Sequence, residues 1–128
     1  MSVSRQCIDL FVESLIGEES YDEEEGVWKF TDDSHCSVCV SSAARIAREF
    51  DGAVMGYWSK ANPAATVGGR LCEGHDFAFI ADRWIVYYWA FRIAMVIQKP
   101  VLDLDSEQDR KLAQRLFGDR NAWEALTI

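Results

Sequence analysis

Between residues 50 and 53 the spacing of apolar side chains changes from a helical period to a period of two, and that change constrains the fold more than any other feature. Upstream of it, Cys36, Cys39, Val40, Ala43, Ile46, Ala47 and Phe50 fall on one face of a helix, with Arg45, Arg48 and Glu49 off the stripe. Asp33 or Ser34 is placed to cap this helix, and Asp51-Gly52 to end it. Downstream, Ala53 to Trp58 alternates as a strand. His75 to Ala81 and Arg83 to Ala90 read as two more strands, joined in a tight hairpin at Asp82 and Arg83. The order predicts an α+β fold, a central helix packed on an antiparallel β-sheet, and not the βαβ alternation of a parallel sheet.

The flanking segments fit that layout. Residues 4–16 carry Cys7, Ile8, Phe11, Val12, Leu15 and Ile16 on one helical stripe, with Gly17 as a stop. The run GEESYDEEEG reads as a solvated acidic loop, and its carboxylates lack the alternating spacing of an EF-hand. Val27 to Thr31 is expected to be a short strand, and Phe91 to Leu104 further strand interrupted near Lys99-Pro100. A last helix starts from a cap at Ser106, with Asp109 in the capping-box position, and runs through Leu112, Leu116 and Phe117 to Gly118. The 128 residues leave room for one core, so residues 1–128 are taken as a single domain.

Composition narrows the function classes. A formal charge of −8 opposes a nucleic-acid groove, which needs a basic stripe, and opposes attraction to an anionic membrane. The longest apolar stretch, Trp84 to Phe91, is far short of a bilayer span, and the start of the chain lacks the apolar stretch of an export signal. The four cysteines are therefore expected to be free thiols in a cytoplasmic protein. The expected partner or substrate is a protein or peptide, and no cofactor is expected.

Two chemistries compete for the same residues. In the first, Cys36 lies in the opening turn of a helix, where free backbone N–H groups and the helix dipole favour a thiolate. His75, which opens a strand after Gly74, is the base. On the expected hairpin His75 shares a face with Phe77 and Phe79, and with Trp84, Val86 and Tyr88 across from it. In the second, Cys36-x-x-Cys39 and Cys72-x-x-His75 form a Cys₃His zinc set. A helical stripe through Cys36 and Cys39, with no Pro or Gly to make a knuckle, weighs against metal, and burial as a small apolar side chain also accounts for both. The pair lacks the βαβ context of a thioredoxin-like site, and His35 reads as an exposed residue at the helix start.

The segments SHCSVCVSSAARIAREFDGAVMGYW and GHDFAFIADRWIVYYWA resemble small bacterial members of the papain-like and transglutaminase-like cysteine superfamily. The resemblance covers residues 34 to 90, somewhat under half the chain, through short motifs. It implies a papain-like or transglutaminase-like core and a cysteine-nucleophile hydrolase or acyltransferase, whether peptidase, deamidase or transglutaminase-like, with Cys36 as nucleophile and His75 as base. The family's third residue, an Asp or Asn on the strand after the His, is where this chain departs: Tyr87 and Tyr88 stand there instead. A tyrosine hydroxyl accepts a hydrogen bond from an imidazole but carries no charge at neutral pH. Asp76, Asp82, Asp103 and Asp105 are the candidate substitutes, Asp76 falling on the face away from His75 and Asp82 at the turn. The alternative is a catalytically degraded, non-enzymatic interaction or immunity-type module.

Two further features carry less weight. The clustered aromatics at 57–58 and 84–89 serve as core, or as an aromatic cleft around His75. The run from Lys60 to Gly74, with Gly68, Gly69 and Gly74, is long enough for a lid but has no phosphate-loop pattern, and Arg70 in it could meet an acidic substrate group.

Overall fold

In a computed structural model, residues 3–36, 39–58, 66–67, 70–71, 74–88 and 101–126 are described, without the side chains at 39, 57–58, 66–67, 70–71 and 74–75. The chain runs α1 (Arg5–Glu18), β1 (Ser20–Asp22), β2 (Val27–Lys29), α2 (Cys39–Glu49), β3 (Ala53–Trp58), β4 (Thr66–Val67), β5 (Arg70–Leu71), β6 (Gly74–Ile80), β7 (Trp84–Val86), β8 (Val101–Asp103), α3 (Glu107–Phe117), a 3-10 turn (Arg120–Ala122) and β9 (Glu124–Leu126). Five of the strands form one antiparallel sheet in the order β8-β7-β6-β3-β9. The class is α+β, as the change of period implies. No helix among the described residues is long and apolar enough to cross a membrane.

The sheet is covered on both faces, and the alternation along its central strands shows how. Ala78 and Ile80 of β6 and Val86 of β7 pack with Ile8, Val12 and Leu15 of α1 and with Ile46 and Ala47 of α2. Phe77, Phe79 and Ile85, one residue out of phase, pack with Ala113, Leu116 and Phe117 of α3. Every residue of β7 is buried for this reason, each face having its own helical layer. On the α3 side the core is aromatic: the Phe77 ring lies 4.7 Å from Phe117 and 4.9 Å from Trp123.

Local chemistry accounts for the element ends. Ser4 caps α1 by accepting from the Cys7 N–H, but the helix continues through Gly17 to Glu18, one residue past the expected stop. Of the expected stripe, Ile8, Val12 and Leu15 are buried while Cys7 is exposed. Ser106 caps α3 and Gly118 ends it at φ 70°, both at the expected positions. The acidic run is not a plain loop: it folds as the β1–β2 hairpin, because the Asp22 carboxylate accepts the N–H groups of Glu24 and Glu25 at 2.9 and 3.1 Å and fixes the turn. Lys29 sits among Asp22, Glu25 and Asp33 at 3.1–3.2 Å, and the hydrogen bonds it donates to Asp22 and Asp33 push its pKa up.

The β6–β7 hairpin differs from expectation by one residue of register. Its turn is centred on Ala81 and Asp82, both at positive φ, and not on Asp82 and Arg83. Ala78 therefore pairs with Val86, Phe79 with Ile85 and Ile80 with Trp84. A one-residue shift exchanges faces. Trp84, Val86 and Tyr88 thus belong with Ala78 and Ile80 on the α1/α2 side, not with Phe77 and Phe79. The expected strand through 91–100 and most of the expected lid at 60–74 fall outside the described residues.

Candidate functional site at the start of the central helix

The helix expected from Asp33 or Ser34 is described from Cys39, with residues 37 and 38 outside the described residues, and Cys36 lies in a turn ahead of it. That turn folds back on β2: the Cys36 N–H donates to the Trp28 carbonyl at 2.9 Å, and the Phe30 N–H to the Ser34 carbonyl at 2.9 Å. His35 bridges Lys29, and its Nε2 lies 3.1 Å from the Glu25 carboxylate. The result seats the Cys36 side chain in the core with Phe30 and Tyr88, at 3% exposure. Burial pushes the thiol pKa up, and the Asp32 and Glu18 carboxylates push the same way against a backbone hydrogen bond that lowers it. The environment is the reverse of the thiolate-favouring one expected for this residue.

Around Cys36 the fold gathers groups that are distant in sequence. Glu18 takes a two-pronged contact from Arg45 at 3.1 and 2.8 Å and a 2.7 Å hydrogen bond from the Thr31 hydroxyl. Arg45 thereby holds the Glu18 carboxyl below its ordinary value, and its guanidinium reaches Asp32 at 3.6 Å. The Tyr88 hydroxyl donates to Glu19. Burial, then the neighbouring Cys36 and Glu18, raise the Tyr88 pKa, and its ring packs edge-on to Phe30 at 5.5 Å. The chain signals none of these partners in advance: Glu18 and Glu19 read as members of an acidic run, and Arg45 only as a residue off an apolar stripe.

The remaining site residues divide. Tyr87 belongs to the opposite layer, edge-on to Phe117 at 5.4 Å, so the two tyrosines do not serve one site. His75 is on β6 opposite Tyr57 in the register. Its register position is that of Phe77 and Phe79, whereas Asp76 takes that of Ala78 and Ile80, the side of Cys36 and Tyr88. Burial raises the Asp76 pKa. The other candidate carboxylates are engaged elsewhere: Asp82 with Arg120, and Asp103 and Asp105 with Arg83 at 2.8 and 3.2 Å. Arg83 draws the Asp103 pKa down to about 2. Cys72 lies outside the described residues, as do the side chains of Cys39, His75 and Arg70, so the Cys₃His set falls outside them too.

The direction of α2 against the sheet decides which ends meet. At its far end, a Cβ on Gly52 would lie 2.7 Å from the Phe79 carbonyl and 3.0 Å from Ile80, so the exit from α2 touches the end of β6. At its near end, Cys36 neighbours Tyr88, which lies beyond Val86 and its partner Ala78, toward the start of β6. The cysteine-bearing start of α2 and the His75–Asp76 start of β6 are therefore at the same end of the molecule. Comparison with protein-family models, curated proteins and solved structures finds no match for this chain.

Proposed function

We propose that the chain is a cysteine-nucleophile hydrolase or acyltransferase with a papain-like or transglutaminase-like core, acting on a protein or peptide amide, with Cys36 as nucleophile and His75 as base. What supports it is the common end of α2 and β6, which puts Cys36, in the turn ahead of the helix, at the end of the sheet where the strand that carries the histidine opens. In that chemistry the thiolate attacks the amide carbonyl carbon and the oxyanion is held by N–H groups at the helix start. The amine leaves with a proton from the imidazolium, and water or a second amine resolves the thioester. Cys36 is a free thiol, buried in the turn ahead of α2. Such a thiol suits a reducing compartment such as the cytoplasm.

A second reading, a non-enzymatic interaction module descended from such an enzyme, is favoured by a specific observation. His75 takes the register position of the α3 layer while Cys36 packs in the α1/α2 layer, neither Tyr87 nor Tyr88 supplies a charged orienter, and Asp82, Asp103 and Asp105 are held in ion pairs. Iodoacetamide labelling of the native protein at about pH 6–7, with the modified cysteine located by mass, separates the two, because a free thiol is mostly protonated there. The exposed Cys7 is the internal reference. The hydrolase reading expects Cys36 to label about tenfold or more faster than Cys7, with His75→Ala removing the advantage. Labelling of Cys36 at or below the rate of Cys7 rejects it and leaves the interaction module.

A further inference from the structure

At the opposite end of β6 from the cysteines, the turn at Ala81–Asp82 and the segment after α3 enclose a depression of about 420 Å³, within the range of small-ligand clefts. Phe79, Met55 and Trp123 line it, and the Phe79 and Trp123 rings meet nearly at right angles, 82° with centroids 5.7 Å apart. Asp51 and Asp82 also line it. Two aromatic rings at a corner with two carboxylates beside them form an environment for a cation, through ring quadrupole and charge together. The chain already places one there. The guanidinium of Arg120 lies 4.8 Å over the Phe79 ring and is ion-paired with Asp82.

That internal cation is weakly held. The Arg120 side chain is half exposed and that of Asp82 is 78% exposed, so water screens their bridge. A second depression of about 290 Å³, sharing Asp82, Arg120 and Trp123, adjoins the first and gives the Arg120 side chain somewhere to swing. Arg110 lines that second depression, where its guanidinium donates to the Leu104 carbonyl at 3.0 Å, so among the described residues the first depression has no cation besides Arg120. The net charge of −8 concentrates cations near the surface as a whole.

We infer that this aromatic and carboxylate corner is a docking site for a basic side chain, an arginine of a protein or peptide partner, which displaces Arg120 from Phe79 and Asp82. The site is independent of the cysteine chemistry. Arg120 acts as an internal competitor, so its removal opens the corner.

The test uses the full chain, acetyl-arginine amide as probe and the neutral isostere acetyl-citrulline amide as control. The indole N–H resonance of Trp123, assigned by its loss in Trp123→Phe, is the readout. Saturable shifts with arginine and not with citrulline are expected. Arg120→Gln should tighten binding by about two- to fivefold, the range that an exposed ion pair can contribute. Asp51→Asn should weaken it by a similar factor, with the other indole resonances unmoved as proof of fold; asparagine tolerates the positive φ of 52° at that position. Non-saturable shifts, equal shifts with citrulline, or weaker binding in Arg120→Gln would each overturn the assignment.

Discussion

Replacing Gly52 by alanine tests the contact that aligns α2 with β6. The added Cβ would stand 2.7 Å from the Phe79 carbonyl oxygen and 3.0 Å from the Ile80 side chain, against the 3.4 Å at which ordinary contact begins. The carbonyl cannot turn away, because Phe79 is paired with Ala53 on one side and Ile85 on the other. The end of α2 is equally fixed, since the Gly52 N–H donates to the Ala47 carbonyl at 2.8 Å. The helix exit and the strand must therefore separate, and an overpacked contact of this kind costs about 1–3 kcal/mol. For a chain of this size that lowers the melting temperature by about 4–15 °C.

The opposite outcome has its own physical basis, which makes the experiment decisive. Where a glycine can accept a Cβ, Gly→Ala stabilises by about 0.4–1 kcal/mol through the unfolded chain. Gly17, in the last turn of α1 with nothing within 4 Å of its Cβ position, is the matched control, and Gly17→Ala should raise stability by about 0.5–1 kcal/mol. Urea unfolding followed by tryptophan fluorescence reads both, with an unchanged slope confirming that only stability has moved. A Gly52→Ala midpoint equal to or above that of the parent would refute the close approach of Gly52 to the end of β6.

Tyr88→Phe removes the hydroxyl that donates to Glu19 in a buried setting, and the unfolding free energy from urea titration should fall by about 1–3 kcal/mol, an effect below about 0.5 kcal/mol showing that the contact does not stabilise the fold. The Asp103 pKa is depressed to about 2, first by hydrogen bonds from Arg83, so its contribution is fully present above the ordinary carboxylate value and disappears as pH falls through the folded value. The stability gap between the parent and Arg83→Gln should therefore be constant above about pH 5 and close between about pH 4 and pH 2; a gap that persists at pH 2 would place the role of Arg83 outside this pair.

The elements readable in the chain are those whose signal is local. The change of period at residue 52, the Ser106 cap and Gly118 exit of α3, and the alternation of β3 all depend on neighbours within a turn or two. The β1–β2 hairpin was hidden because it is held by the Asp22 carboxylate on backbone N–H groups and not by an apolar pattern. β9 was hidden because it lies at the sheet edge with Glu124 and Ala125 exposed, which leaves no alternation to read. The register of the β6–β7 hairpin failed on a single residue. Ala81 adopts a φ of 54°, a conformation that asparagine and glycine announce and alanine does not.

The site depends on one local turn more than on any motif. A helix running from residue 34 would give Cys36 the free N–H groups and the dipole. The structure instead puts Cys36 in a turn that folds onto Trp28, with its side chain in the core. What then raises the Cys36 pKa is burial first, and after it the carboxylates of Asp32 and of Glu18, the latter at a separation where no spacing rule operates. Tyr87 and Tyr88 teach the same point from the strand side. Tyr87 and Tyr88, just past β7, belong to different cores, so the dipeptide does not occupy one position, and only Tyr88 reaches the cysteine end.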